Sequence, residues 1–127
     1  METAKKRIVW VEDDKLLGSL LAQKLAAAGF DLFCATSGKE ALQSLDSLSA
    51  APPDLIMVDL ILPDMNGFDI LERINKDSRF AAVPRMVLSN LDAAVDQKRA
   101  HLLGAKKFLV KALTSLDQIV AEVRSAM

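Results

Sequence analysis

The chain has 127 residues, 51% of them hydrophobic and 26% charged, which is enough to bury a core in one domain covering residues 1–127. Its net charge of −1 gives no electrostatic reason to expect a nucleic acid or an anionic membrane surface as partner. Cys34 is the single cysteine, which excludes a disulfide framework and a cysteine-based zinc site. The start of the chain up to Arg7 is basic, but the apolar run behind it stops at Val11, too early for a signal peptide or a membrane span. We therefore expect a cytoplasmic domain without membrane insertion.

Short apolar segments alternate with helically periodic segments along the chain. Strands are predicted at 8–11, at 31–36 as an edge strand, and at 55–58, 86–88 and 107–110. Apolar residues at helical spacing predict helices at 17–28, 41–48, 68–74, 92–103 and 116–127. Strict alternation predicts an α/β fold: a five-stranded doubly wound parallel sheet with right-handed crossovers and five helices on both faces. The economical strand order is 2-1-3-4-5, which is the flavodoxin-like arrangement.

Reactive side chains stand at the carboxyl ends of the predicted strands. In the 2-1-3-4-5 order strands one, three and four are central, so their carboxyl ends are neighbours. The residues at these ends are the acidic run Glu12-Asp13-Asp14, then Asp59, then Ser89, with Lys111 ending strand five. The topology therefore collects carboxylates, a hydroxyl and an amine on one rim of the sheet.

The repulsion between clustered carboxylates of this kind must be relieved. At about 4 Å and an effective dielectric near 20, each like-charged pair costs roughly 4 kcal/mol, so the cluster must take up a proton, spread apart or hold a cation. A site of oxygen donors suits a hard ion, Mg²⁺ or Mn²⁺, with room left for water, a backbone carbonyl and a phosphate oxygen. Asp59 is then a candidate nucleophile that forms an aspartyl phosphate, with Lys111 and Ser89 compensating the charge of the transferred group.

Each of these residues also has a purely structural interpretation. Asp13 or Asp14 is equally suited to cap the first helix. Asp59 and Ser89 are common turn residues, and a lysine near a strand end is often a solvated charge. Their joint occurrence on one predicted rim favours a functional site over independent accidents.

Four segments carry a resemblance to a known family. They are Val11-Glu12-Asp13-Asp14, the run from Asp54 to Asp59 with Leu62–Gly67 behind it, Ser89, and the segment from Gly104 to Lys111. In this order and spacing the chain resembles the receiver domain of two-component response regulators over essentially its whole length.

The resemblance implies a phosphorylation site. Asp59 would accept a phosphoryl group from a histidine kinase, a phosphotransfer protein or a small phosphodonor. Asp13, Asp59 and the backbone carbonyl of Ile61 would ligate Mg²⁺, while Glu12 would act mainly through water. Lys111 would pair with the phosphoryl oxygens.

The resemblance also implies a conformational switch. Ser89 would hydrogen-bond the phosphate, and Phe108 would turn inward in response. The signal would leave through the face formed by the fourth helix, the fifth strand and the fifth helix, which would bind a downstream effector protein; a homodimer through this face is left open. The fourth helix has the weakest apolar pattern, as expected for an element that is easily shifted.

Three residues depart from the family pattern. Ala112 follows Lys111 where proline is usual, and because a cis bond costs ~2.5–4 kcal/mol without proline, we expect a trans bond. Asn90 stands where a smaller residue is common, which predicts a narrower site mouth. Ile61 offers no side-chain hydrogen bond to an attacking water, which predicts slow self-dephosphorylation.

Three further residues are interpreted as structural and not as functional. We expect His101 to be solvent-exposed, Cys34 to fill a small space in the core, and Trp10 to be buried near enough to the acidic rim for its fluorescence to report metal binding.

The leading functional hypothesis is a single-domain phospho-receiver, a signalling switch that catalyses only its own phosphorylation and dephosphorylation. The absence of a linker behind the last helix favours a stand-alone protein. The alternative is a non-phosphorylated receiver-like interaction module, which the missing proline favours. A third hypothesis, a hydrolase with an aspartate nucleophile, needs a general acid beside Asp59, and Asp64 is no obvious candidate.

Overall fold

The sheet has the predicted topology. The computed structural model describes residues 5–127, so the part of the basic start that falls on residues 1–4 lies outside the described residues. Within residues 5–127 there are five strands, all paired in parallel, in the order β2-β1-β3-β4-β5. The strands are β1 (Arg7–Val11), β2 (Asp31–Ala35), β3 (Leu55–Val58), β4 (Arg85–Ser89) and β5 (Ala105–Val110).

Helices follow each strand, and polar side chains define most of their starts. The helices are α1 (Lys15–Ala27), α2 (Gly38–Ser47), α3 (Gly67–Lys76), α4 (Ala94–Leu102) and α5 (Leu116–Ala126), with 3₁₀ turns at Ser78–Phe80 and Lys111–Leu113. Side-chain oxygens of Asp14, Ser37, Asn66 and Ser115 accept backbone N–H groups at the starts of α1, α2, α3 and α5. The cap at Ser37 explains why α2 begins three residues before the predicted apolar stripe. In the described part of the chain, no helix has the length and apolar character needed to cross a membrane.

The core lies in two layers, one on each face of the sheet. Alternate strand residues such as Val9, Ile56 and Val87 pack against α2, α3 and α4. The other alternation, which includes Ile8, Met57 and Leu88, packs against α1 and α5. Trp10 belongs to this second layer and is fully buried, as predicted.

Two predictions about single residues have different outcomes. His101 is exposed, as predicted, and its Nδ1 lies 2.9 Å from the carbonyl oxygen of Ala105. The prediction for Cys34 is wrong, because the residue is exposed on the edge strand β2 instead of filling the core. Partial burial of its sulfur still raises the pKa of the Cys34 thiol, which disfavours the reactive thiolate.

Candidate functional site

Backbone hydrogen bonds continue past the strand ends and fix the two buried acids. The N–H of Glu12 donates to Ala35 O at 2.8 Å, and the N–H of Asp59 donates to Val11 O at 3.0 Å. Both residues are therefore anchored to a neighbouring strand while their side chains reach the rim. Only 1% of Glu12 and 3% of Asp59 is exposed. The sheet thus holds two carboxyl groups in a sparsely solvated place.

The Asp59 carboxylate has a defined hydrogen-bond partner on each oxygen. Ser89 Oγ donates to Oδ1 at 2.8 Å, and the Ile61 N–H donates to the same oxygen at 3.1 Å. Lys111 Nζ donates to Oδ2 at 2.6 Å. The side chains predicted at the ends of β3, β4 and β5 therefore meet at one carboxylate.

Lys111 joins the two buried acids. Its ammonium lies 2.7 Å from Glu12 Oε1 and 2.9 Å from Glu12 Oε2, and 14% of its side chain is exposed. Burial acts to lower the pKa of Lys111, but the hydrogen bonds that its ammonium donates to Asp59 and Glu12 outweigh burial and raise that pKa above its ordinary value. Lys111 is accordingly a charged ammonium in the site.

Glu12 has the most perturbed carboxyl group of the site. Burial raises the pKa of Glu12 to about 7, even though the contacts with Lys111 act in the opposite direction. Glu12 therefore exchanges its proton near neutral pH. A group of this kind, next to a cation and a second acid, is typical of functional sites.

Three acidic residues converge in a way that suits a metal ion. Glu12, Asp13 and Asp59 each offer one carboxylate oxygen, and these oxygens lie within 4.8 Å of one another. The donors are all oxygen, which matches the preference of Mg²⁺ and Mn²⁺. The residues present therefore fit a hard divalent ion. For Ile61 the structure shows the contact of its N–H with Asp59, and the role of its carbonyl stays a prediction.

The structure separates the roles of two neighbouring aspartates. Asp14 Oδ1 accepts the N–H groups of Leu16 at 3.0 Å and Leu17 at 3.1 Å, so Asp14 caps α1. Asp13 is exposed and turns its carboxylate toward the acidic cluster. The capping interpretation is thus correct for Asp14, while Asp13 joins the site.

The loop behind Asp59 is fixed by contacts that the sequence did not reveal. Asp64 accepts the N–H groups of Gly38 at 2.8 Å and Lys39 at 2.9 Å, and these bonds lower the pKa of the Asp64 carboxyl. No local pattern pointed to this role, because the partners are distant in the chain. A Cβ at Gly67 would lie 2.2 Å from Asp59 O, so this position requires glycine.

The departures from the expected pattern leave the site intact. No cis peptide bond occurs in residues 5–127, so the bond between Lys111 and Ala112 is trans, as predicted. Lys111 nevertheless reaches both carboxylates. Ile61 is 54% exposed at the site mouth, and Asn90 is exposed beside it. Phe108 is half-buried against the α2–α4 side of the core, and its role as a switch stays a prediction.

Comparisons with known proteins assign this geometry to a family. The family model described as "Response regulator receiver domain" matches residues 8–124. The DNA-binding response regulator MtrA of Mycobacterium tuberculosis is 33% identical over 127 residues, covering 100% of this chain and 53% of MtrA. The DNA-binding dual master transcriptional regulator RpaA of Synechocystis is 31% identical over 121 residues, covering 95% of this chain and 48% of RpaA. The chain therefore spans about half the length of these curated relatives.

Solved structures agree with the sequence relatives. The non-phosphorylated HemR receiver domain of Leptospira biflexa is 31% identical with a TM-score of 0.87, covering 96% of this chain and 94% of the other. The phosphorylated cyanobacterial phytochrome response regulator RcpA is 29% identical with a TM-score of 0.82, covering 96% and 91%. By sequence and fold, the chain belongs to the response regulator receiver domains of two-component signal transduction.

Proposed function

We propose that this receiver domain is a switch in which Asp59 accepts a phosphoryl group in the presence of Mg²⁺ or Mn²⁺. The observation that carries the proposal is the set of contacts at Asp59, where Ser89 holds one carboxylate oxygen and Lys111 the other. Glu12 and Asp13 lie beside them with oxygens suited to a divalent ion. RcpA, a relative of known structure, is described as phosphorylated, which supports the same chemistry here.

The reaction is a transfer between a donor and the Asp59 carboxylate. One carboxylate oxygen attacks phosphorus, a P–O bond to Asp59 forms, and the P–N bond of a phosphohistidine or the P–O bond of a small phosphodonor breaks, with the electron pair leaving on the donor. Lys111 donates to the phosphoryl oxygens and Ser89 supplies a hydroxyl donor. A bound divalent ion, held by Glu12, Asp13, Asp59 and the Ile61 carbonyl, would offset the charge of the phosphoryl group.

The proposed partners follow from this role. The phosphoryl donor is a histidine kinase or a phosphotransfer protein in the cytoplasm, and the output is binding of an effector protein at the face of α4, β5 and α5. Ser89 and Phe108 are the proposed switch residues that connect Asp59 to this face. Direct binding of nucleic acid by the receiver domain is not part of the proposal, because its net charge of −1 gives no electrostatic reason to expect it. Dimerisation through the same face stays open.

The alternatives have less support. The interaction-module hypothesis rested on the missing proline, yet Lys111 lies 2.6 Å from Asp59 without it. The hydrolase hypothesis needs a protonated general acid beside Asp59. Backbone hydrogen bonds lower the pKa of Asp64, which keeps it ionised. Glu12 exchanges its proton near neutral pH, but both of its carboxyl oxygens contact the Lys111 ammonium.

Phosphorylation is tested with acetyl phosphate and Mg²⁺. We expect the intact protein to gain the mass of one phosphoryl group, and Asp59→Asn to gain none because the attacking carboxylate is gone. Asp31→Asn is the matched control, since Asp31 is an exposed acid at the opposite end of the sheet. Absence of the adduct together with an unchanged Trp10 fluorescence on adding Mg²⁺ would favour the interaction module. Rapid turnover of a phosphomonoester would point to the hydrolase.

A further inference from the structure

Two residues that depart from the family pattern contact each other beside the site. Asn90 follows Ser89 and Ala112 follows Lys111, and the Asn90 side-chain oxygen accepts the Ala112 N–H at 3.1 Å. Ser89 and Val110 form the last pair of the β4–β5 ladder, so this contact lies just beyond it. The bond therefore connects the two chain segments that leave the rim with Ser89 and Lys111.

The local backbone explains why an acceptor is needed there. The chain enters a 3₁₀ turn at Lys111–Leu113, and Val110 at its start provides no side-chain cap. The first N–H groups of such a turn have no acceptor within it, so they need one from elsewhere. Asn90, the residue directly after β4, supplies the acceptor. A proline at 112 would carry no N–H and would need no such partner.

The position of the Lys111 ammonium depends on how this turn holds the Lys111 backbone. Its ammonium contacts Asp59 and Glu12 at the far end of a long flexible side chain, so its position follows from where the backbone at 111 is held. The Asn90–Ala112 bond acts one residue from that backbone. It therefore restrains the origin of the Lys111 side chain without touching the carboxylates.

We propose that Asn90 is a positioning residue for the phosphorylation of Asp59: its side-chain oxygen holds the Ala112 N–H and so fixes the turn from which Lys111 reaches the phosphoacceptor. This inference rests on the proposed function of Asp59. It also explains both departures from the family pattern together. Ala112, in place of proline, supplies the N–H donor, and Asn90, in place of a smaller residue, supplies the acceptor oxygen.

The variant that tests the proposal is Asn90→Leu. Leucine has the same branched arrangement of side-chain heavy atoms as asparagine but no acceptor, so it keeps a side chain of similar shape at the site mouth and removes the hydrogen bond. At saturating Mg²⁺ we expect the maximal rate of phosphorylation by acetyl phosphate to fall about three- to ten-fold, as for the loss of one hydrogen bond. The Mg²⁺ affinity read from Trp10 fluorescence should not change, since the acids are untouched. A general structural defect would lower both.

Two further variants sharpen the result. Gln97→Leu is the matched control, because Gln97 is an amide on α4 whose side chain bonds the Asp92 carbonyl oxygen, and its rate should equal that of the wild type. Ala112→Pro removes the donor, so Asn90→Leu should have no additional effect in the Ala112→Pro background. This non-additivity is the signature of a direct contact.

Hydrogen exchange gives a readout independent of phosphorylation and of the proline variant. We expect the Ala112 amide to exchange faster in Asn90→Leu than in the wild type. An unchanged rate of phosphorylation in Asn90→Leu, in a protein whose wild type is phosphorylated, overturns the proposal, and so does an unchanged Ala112 exchange rate. A wild type that accepts no phosphoryl group overturns the proposed function itself.

Discussion

At the scale of single residues, Glu12 is the most deeply buried acid of the site, and its carboxyl pKa is the one most strongly shifted. It is 1% exposed and lies 2.7 Å from the Lys111 ammonium, which compensates one negative charge while Asp59 supplies a second. Burial raises the pKa of Glu12 to about 7, so at neutral pH the acid is shared between its two protonation states. Proton uptake by Glu12 is therefore one way in which the cluster relieves its charge.

This perturbation predicts a pH dependence of stability in the presence of a chelator. The folded protein holds a proton on Glu12 up to about pH 7, whereas the unfolded chain releases it near the ordinary value of 4.5. The stability contributed by the protonated acid is thus fully present below the unfolded pKa and is lost as pH rises through the folded pKa. The free energy of unfolding should fall between these values by at most about 1.4 kcal/mol per pH unit. Denaturant titrations of wild type and Glu12→Gln measure it; equal pH profiles of the two proteins contradict the prediction.

Ile61 carries a prediction about the lifetime of the phosphorylated state. Its side chain is 54% exposed at the site mouth and has no group that can orient a water for attack on the phosphoryl group. We expect slow dephosphorylation, and Ile61→Asn should accelerate it roughly ten- to hundred-fold by holding that water. Decay of the phosphorylated protein after removal of the donor is followed by mass. Ile61→Leu should leave the decay unchanged, and a wild-type half-life of seconds would count against the idea.

The residue scale also shows where sequence reasoning reached its limit. Asp59, Ser89 and Lys111 were predictable as neighbours because parallel strands end at one rim. The residues alone left the choice between Asp13 and Asp14 open, since both stand where a cap or a ligand is suitable. The resemblance favoured Asp13 as the ligand, and the contacts of Asp14 show that Asp14 is the cap. The role of Asp64 and the exposure of Cys34 depend on packing between segments distant in the chain, which no local pattern encodes.

At the scale of secondary-structure elements, α4 is the more weakly held of the two helices in the proposed effector-binding face of α4, β5 and α5. Ala100 is its single buried residue, as the weak apolar pattern predicted, and Ala93 at its start provides no side-chain cap. Val95 and Leu102 are 72% and 74% exposed. The Arg99 guanidinium lies 4.2 Å from the centre of the Phe68 ring on α3, a cation–π contact that helps hold the helix. Such an element opens and shifts at small cost.

The missing cap makes α4 open to stabilisation. Ala93→Ser supplies an oxygen for the free N–H groups of the first turn and should stabilise the helix by about 1 kcal/mol. Slower hydrogen exchange of the α4 amides is the measurement. Ser115→Ala is the control of opposite sign, because it removes an existing cap from α5. Unchanged exchange in α4 would mean that its first turn already has sufficient acceptors.

At the scale of the whole molecule, the site exists only when the sheet is assembled. Glu12 and Asp13 follow β1, Asp59 follows β3, Ser89 ends β4 and Lys111 follows β5, so no local segment contains the site. The alternating pattern of the sequence predicted this sheet because buried strands and amphipathic helices have different periods. Metal binding, as proposed above, would therefore be linked to folding, because an ion that binds the assembled acids would stabilise the entire domain.

This linkage predicts the effect of adding and removing metal. At about pH 8, where Glu12 is ionised, Mg²⁺ at 100 times its Kd should raise the free energy of unfolding by about 2.7 kcal/mol and the Tm by roughly 10 °C, and a chelator should reverse both. Asp59→Asn removes one of three carboxylate donors, so its Tm should respond little to Mg²⁺ even though the loss of repulsion raises its baseline. The increments caused by the metal are therefore the quantities to compare. Asp31→Asn should keep the wild-type increment; an equal increment in Asp59→Asn would place the metal elsewhere.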